Sequence, residues 1–169
     1  MKFILVDRIV TLEPPDRIVA CKSLSLAEEY LADHFPTFPV MPGVLMLEAM
    51  VQSAAWLVHA SQGFKHSVVV LEEAKNINYK SFVTPGRTLE VTAEAKRIEE
   101  RSSEFQTLGR CGEENVVKAR LRLRHYNLAE SDATLADTDA RILSALRQRF
   151  QLLGGPSALK MAPTMANNG

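Results

Sequence analysis

From Pro42 to about Ser61 the chain offers no clear polar face: Val44, Leu45, Met46, Leu47, Met50, Val51, Ala54, Ala55, Trp56, Leu57 and Val58 cover every side of a helix. A helix that is apolar all round has to be surrounded by protein. Pro42 suits its first position, where a missing N–H costs nothing. Glu, Gln and His intrude on this and every other apolar run, so none reaches the roughly 18 uncharged residues of a spanning helix.

The surrounding material is β-rich. Candidate strands lie at 3–10, 17–24, 66–72, 75–80, 88–98, 103–110 and 115–127. Glu13-Pro14-Pro15-Asp16, Pro85-Gly86 and Gly112-Glu113-Glu114-Asn115 read as turns between them. A short helical stretch is expected around Leu26–Ala32, followed by a stiff loop with Pro36, Pro39 and Pro42 three residues apart. The order predicts an α+β fold: one long buried helix wrapped by a curved antiparallel sheet.

After Asn127 the composition changes. A further helix is predicted from about Leu135 to Leu153, with Ile142, Leu143, Leu146, Phe150 and Leu153 on one face and Gly154-Gly155-Pro156 as its stop. The expected organisation is residues 1–128 as the main domain, 129–155 as a helical extension and 156–169 as a disordered tail. On one face of the last strand stand Lys118, Arg120, Arg122 and Arg124. A solvated face with some internal pairing is the favoured reading. The acidic start of the extra helix (Glu130, Asp132, Asp137, Asp139) is expected to face this stripe, docking that helix on its own sheet in a structural role; a cap over a ligand tunnel and an oligomer contact are the other placements.

At 169 residues the chain fits one domain. Twenty basic and twenty acidic residues cancel, so no global field recruits nucleic acid or an anionic membrane. Cys21 and Cys111 make neither a disulfide framework nor a metal cluster, and a reducing compartment is expected. The opening apolar run, Phe3 to Val6, is too short for a signal-peptide core, which favours the cytoplasm.

Glu48 and Gln52 lie four apart in the buried helix, on one face and within reach of each other. Glu48 either meets a polar rim or a distant base, or sits in an apolar pocket as an acid of raised pKa. His34 precedes the proline loop and is either a hydrogen-bonded structural residue or a group suited to proton transfer. Pro42 has no N–H, so the amides of Gly43 and Val44 are the first that can stabilise negative charge on a carbonyl oxygen. His59, His66 and His125 have no partner at useful spacing. No His, Cys or Asp cluster suggests a metal.

The run His34-Phe35-Pro36-Thr37-Phe38-Pro39-Val40-Met41-Pro42-Gly43-Val44-Leu45-Met46-Leu47-Glu48-Ala49-Met50-Val51-Gln52 resembles the active-site signature of the FabZ-type 3-hydroxyacyl-acyl-carrier-protein dehydratases. The resemblance extends to Leu5-Val6-Asp7-Arg8 upstream and to Tyr79-Lys80 and Val83-Thr84-Pro85-Gly86 downstream, covering roughly residues 3–127. It implies the hotdog fold. It also implies His34 and Glu48 as catalytic residues, the Gly43 N–H on the thioester carbonyl and Gln52 orienting Glu48, with no cofactor and no metal. Implied partners are an acyl carrier protein and a second copy sharing each active site, with a trimer of dimers as a larger assembly; no nucleic acid or membrane is implied. Glu48, rather than Asp, is similar to the dehydratase-only branch. Asp33 and Thr37 stand where the family commonly has Gly, and Leu71-Glu72-Glu73-Ala74-Lys75 replaces its F-x-G-I-D segment. A hotdog thioesterase and a non-catalytic acyl-binding or scaffolding protein are the alternatives.

Overall fold

The computed structural model describes residues 4–160. Six strands form one antiparallel sheet in the order β1-β2-β4-β5-β6-β3. They are β1 (Arg8–Glu13), β2 (Arg17–Ser23), β3 (Val68–Tyr79), β4 (Thr88–Ile98), β5 (Ser102–Cys111) and β6 (Glu114–Tyr126). A one-turn helix α1 (Tyr30–Asp33) precedes the long α2 (Gly43–Ser61), which packs on β2, β3, β4, β5 and β6. The wrapped-helix architecture expected from the residue pattern is the one observed.

Period-two alternation explains the sheet. Ala119, Leu121 and Leu123 of β6 are buried while Lys118, Arg120, Arg122 and Arg124 face out. Phe105 of β5 is one of the largest buried side chains. Gly109 permits the close approach of helix and sheet: a Cβ there would stand 2.6 Å from Val117 and 3.5 Å from Met50. Buried hydroxyls on α2 are satisfied locally, as Ser53 Oγ donates to Ala49 O at 2.7 Å. By length and composition α2 passes for a membrane span, yet more than half of it is buried inside the fold.

Several sequence expectations need correction. Residues 66–72 and 75–80 are one strand, β3, whose pairing with β6 shifts register between Leu71 and Glu73 and again between Lys75 and Asn78. The first strand begins at Arg8 rather than residue 3, although Leu5 and Val6 are buried in the core. Gly155 and Pro156 of the expected stop begin a further one-turn helix, α4 (Gly155–Ala158), and Leu159 bridges Leu12 in parallel. The rest of the expected tail lies outside the described residues.

The C-terminal helix, α3 (Ala136–Leu152), does not meet the basic stripe. Glu130 pairs with Arg101, and Asp132 caps the following turn through Thr134 N–H at 2.9 Å. Asp139 is buried, accepting from Ser67 Oγ, Leu128 N–H and Ala129 N–H. Within the stripe, Arg122 pairs with Glu104 at 3.2 Å and Arg124 lies over the Tyr126 ring. The apolar face of α3 instead docks on the end of α2. Phe150 lies tilted at 6.0 Å from Trp56 and edge-on to Phe64 at 5.4 Å, and Leu153 joins the core. Leu153 O accepts from Ile9 N–H at 2.9 Å, tying this segment to β1.

Candidate active site

His34 closes α1, its N–H donating to Tyr30 O at 3.2 Å. The segment before α1 is held by buried Lys22, which pairs with Glu28 at 2.5 Å and Asp7 at 3.5 Å. Beyond His34 the chain turns through Phe35 at φ 50, a left-handed angle uncommon for a bulky residue. The half-buried His34 ring leans on Phe35 at 4.5 Å. Val40 and Met41 anchor the far end of the proline loop in the core, with Met41 N–H bonded to Val83 O at 2.9 Å.

At the start of α2 the N–H groups of Leu45 and Met46 both go to Pro42 O. Those of Gly43 and Val44 have no acceptor among the described residues, and no side chain caps the helix. The Tyr79 ring lies over Gly43, where a Cβ would stand 3.0 Å from it. A side chain at position 43 would have to push the Tyr79 ring aside by a few tenths of an ångström, and burial raises the Tyr79 phenol pKa.

Glu48 is half-buried on the next turn. Gln52 Nε2 donates to Glu48 Oε1 at 2.9 Å, while Gln52 Oε1 accepts Leu5 N–H at 2.9 Å. The backbone bond fixes which end of the amide faces the carboxylate, and Glu48 Oε2 has no hydrogen-bond partner among the described residues. Loop, helix start and Glu48–Gln52 pair belong to one stretch of chain. Yet no hydrogen bond or ion pair joins His34 to Glu48 among the described residues.

A second cluster was not visible in the spacing. His59 of α2, His66 just before β3 and His125 of β6 are all buried, brought together where α2 packs on the paired β3 and β6. His125 Nε2 bonds Ser103 Oγ at 2.8 Å, and its ring lies 6.0 Å from that of His66. His66 has no hydrogen-bond partner for either ring nitrogen among the described residues. Burial pushes His59 and His125 down to about 4. The cluster is not a set of metal ligands: among the described residues no three His, Cys, Asp or Glu are arranged to hold an ion.

The FabA-like domain matches residues 1–119. The chain belongs to this family. Its FabZ-type character follows from curated relatives named 3-hydroxyacyl-acyl-carrier-protein dehydratase FabZ. That of Wolbachia pipientis wMel is 33% identical over 117 residues, 69% of this chain and 82% of the relative. That of Solibacter usitatus is 40% identical over 118 residues, covering 69% and 71%. Among solved structures, the dehydratase heterocomplex ApeI:P from Xenorhabdus doucetiae superposes with a TM-score of 0.65 at 15% identity, covering 79% of this FabZ-type chain and 90% of that one. Conserved protein PA5202 from Pseudomonas aeruginosa gives 0.56 at 21% identity, covering 70% and 86%. At these identities the structures bear on the hotdog fold alone. Residues beyond 119, including all of α3, lie outside the family match.

Proposed function

We propose that this FabZ-type protein dehydrates a 3-hydroxyacyl thioester carried on acyl carrier protein to the trans-2-enoyl thioester in fatty acid or related acyl-chain synthesis, acting in the cytoplasm. The observation that carries the reading is the Gln52–Glu48 hydrogen bond one helical turn beyond the free Gly43 and Val44 amides. His34 takes the C2 proton, the C2–C3 double bond forms, and the C3–O bond breaks as Glu48 protonates the departing hydroxyl. The Gly43 N–H holds the enolate oxygen while charge develops on it. Water is the only other product, so the balance requires no oxidant or reductant.

Each site is formed by two copies, with His34 of one facing Glu48 of the other. The missing His34–Glu48 contact within one chain supports this reading. So does the open β3 edge, where Val70, Leu71, Ile77 and Tyr79 are exposed, as are Phe35, Phe38 and Phe82 near the loop. The deciding assay follows enoyl formation and free-thiol release from one 3-hydroxyacyl thioester. Enoyl product without thiol is expected. Thiol release would make the protein a thioesterase, and neither product would leave it a binding or scaffolding protein.

A further inference from the structure

The sheet face turned away from α2 carries its charges in two unlike halves. In one half Arg122 pairs with Glu104 at 3.2 Å and Lys75 with Glu73 at 2.9 Å. In the other, Arg17, Arg110, Lys118 and Arg120 line a cleft of about 600 Å³. None of these four makes an ion pair among the described residues. Glu94 is the one carboxylate in the lining.

Strand pairing builds the cleft. Arg120 stands opposite Gln106 and Lys118 opposite Leu108, and alternation turns all four away from the core. Lys118 and Arg120 are two residues apart on one strand, about 7 Å at the strand rise. The β3 bulge sets Asn76 and Ile77 against Ala119, and Asn76, at φ 53, joins the lining with its amide. Arg110 is half-buried at the far end: its Nη2 reaches Glu113 O at 3.4 Å, while its buried Nε has no hydrogen-bond partner among the described residues. A buried donor left unpaired is costly, and an acceptor in the cleft could relieve it.

We propose that this cleft binds a polyphosphate group, either free or carried by a nucleotide, at a site separate from Glu48 and Gln52. The cations repel one another at this spacing, so an anion placed between them is attracted by all of them. Arginine forks match phosphate oxygens two at a time, and the Asn76 and Gln106 amides add uncharged donors. The volume lies in the range of small-molecule sites. The neutralised half stops the positive surface at Arg120, which favours a compact ligand over a nucleic acid strand that follows a long basic track. The inference does not depend on the dehydratase reading, because the cleft and α2 lie on opposite faces of the sheet.

Isothermal titration of the full-length protein with tripolyphosphate and with adenosine triphosphate tests it, without divalent cations and at roughly 0.15 M ionic strength. Both should bind, and orthophosphate should bind at least ~10-fold more weakly. Equal affinity for the two would identify free polyphosphate as the source, and tighter binding of the triphosphate nucleotide would identify a nucleotide. Lys118→Gln and Arg120→Gln, both at exposed positions, should each weaken binding at least ~10-fold at unchanged melting temperature. Glu94→Gln should tighten it by about 3-fold. Arg122→Gln, on the same strand and face, should change it by less than ~2-fold, since Arg122 is already paired. If one variant loses stability, the other decides. Binding of neither probe would overturn the proposal, and so would Lys118 and Arg120 variants that bind like the parent. An equal loss in Arg122→Gln would reduce the effect to general attraction and overturn it too. If Lys118→Gln instead changes the oligomeric state by sedimentation, the face belongs to a second copy and the proposal fails.

Discussion

Acid should unfold this protein from the histidine cluster first. His59 and His125 have folded-state pKa values of about 4, against an ordinary value of 6.5, because burial disfavours their charged form. Between those values the unfolded chain binds more protons than the folded one, so stability is complete above about pH 6.5 and falls as pH drops toward 4. At 1.36 kcal/mol per pH unit, each histidine costs about 2 kcal/mol by pH 5 and about 3 kcal/mol at the limit. The pair together removes up to about 4 kcal/mol at pH 5, a large share of the 5–15 kcal/mol that domains typically have. Mutual repulsion in the cluster keeps the two losses from simply adding. Carboxylates held low by their partners have a different window. Glu130, bonded by Asn127 N–H and Arg101, and Asp132, bonded by Thr134, lose their contribution only as pH falls through and below the usual carboxylate range. Urea unfolding at pH 7.5, 6.5, 5.5 and 5.0 measures the effect, with His59→Gln and His125→Gln as partners. Each substitution should flatten the slope between pH 6.5 and 5 by roughly half while lowering stability at pH 7.5. A flat parent profile in that window, or an unchanged slope in both variants, would refute the reasoning.

His34→Ala and Glu48→Gln should each lower kcat by at least ~10²-fold with circular dichroism unchanged. The double variant should fall far short of the product of the two losses, as groups acting on one substrate do. Mixing the two inactive single variants under conditions of demonstrated subunit exchange should restore activity, since some mixed dimers carry one intact site; continued inactivity would refute the shared site. Ending the chain after Asn127 should lower the melting temperature or cause aggregation while leaving turnover per folded molecule. Burying side chains such as Leu146, Phe150 and Leu153 is worth about 1.5–3 kcal/mol each before the entropy of ordering them, and calorimetry of the shortened chain tests that loss.

The residue pattern carried the architecture where one physical rule governed each segment. Strands β4 to β6 were legible because their inward and outward residues alternate over most of their length, and α2 because Pro42 marks its start and no polar face competes. Strand β3 was read as two pieces because Glu72-Glu73-Ala74-Lys75 breaks the apolar run. The structure keeps one strand by shifting register at those residues, with Asn76 at φ 53. Leu5 and Val6 were counted into the first strand on their apolarity, but they reach the core from the segment before it. The Glu48–Gln52 bond followed from helical spacing alone, whereas its anchor on Leu5 N–H, 47 residues away, did not. The histidine cluster depends on α2 packing on the β3–β6 pair, long-range contacts that no local period encodes. The same holds for α3, since charge complementarity with the basic stripe was plausible in sequence but Asp139 is used inside the fold.

The two edges of the sheet connect these features. A strand edge left open on both sides would allow β1 of one copy to pair with β3 of the next, a head-to-tail ladder with no natural end. The C-terminal segment occupies the β1 side, through the Leu12–Leu159 bridge and the Lys160 N–H to Leu12 O bond at 2.8 Å. That leaves β3, with its exposed Val70, Leu71, Ile77 and Tyr79, as the edge where a second copy can add. Self-pairing at one edge is isologous and closes after two copies. If the paired strands run antiparallel, the Tyr79 end of one lies beside the Val68 end of the other. Tyr79 packs on Gly43, and Val68 and Gln52 border one groove. The loop of one copy would then meet the helix face of its partner, where the proposed chemistry requires both. On this view closing the β1 edge leaves β3 for a second copy, and pairing there would bring the His34 loop of one copy to the Glu48 helix of the other, as the proposed chemistry requires.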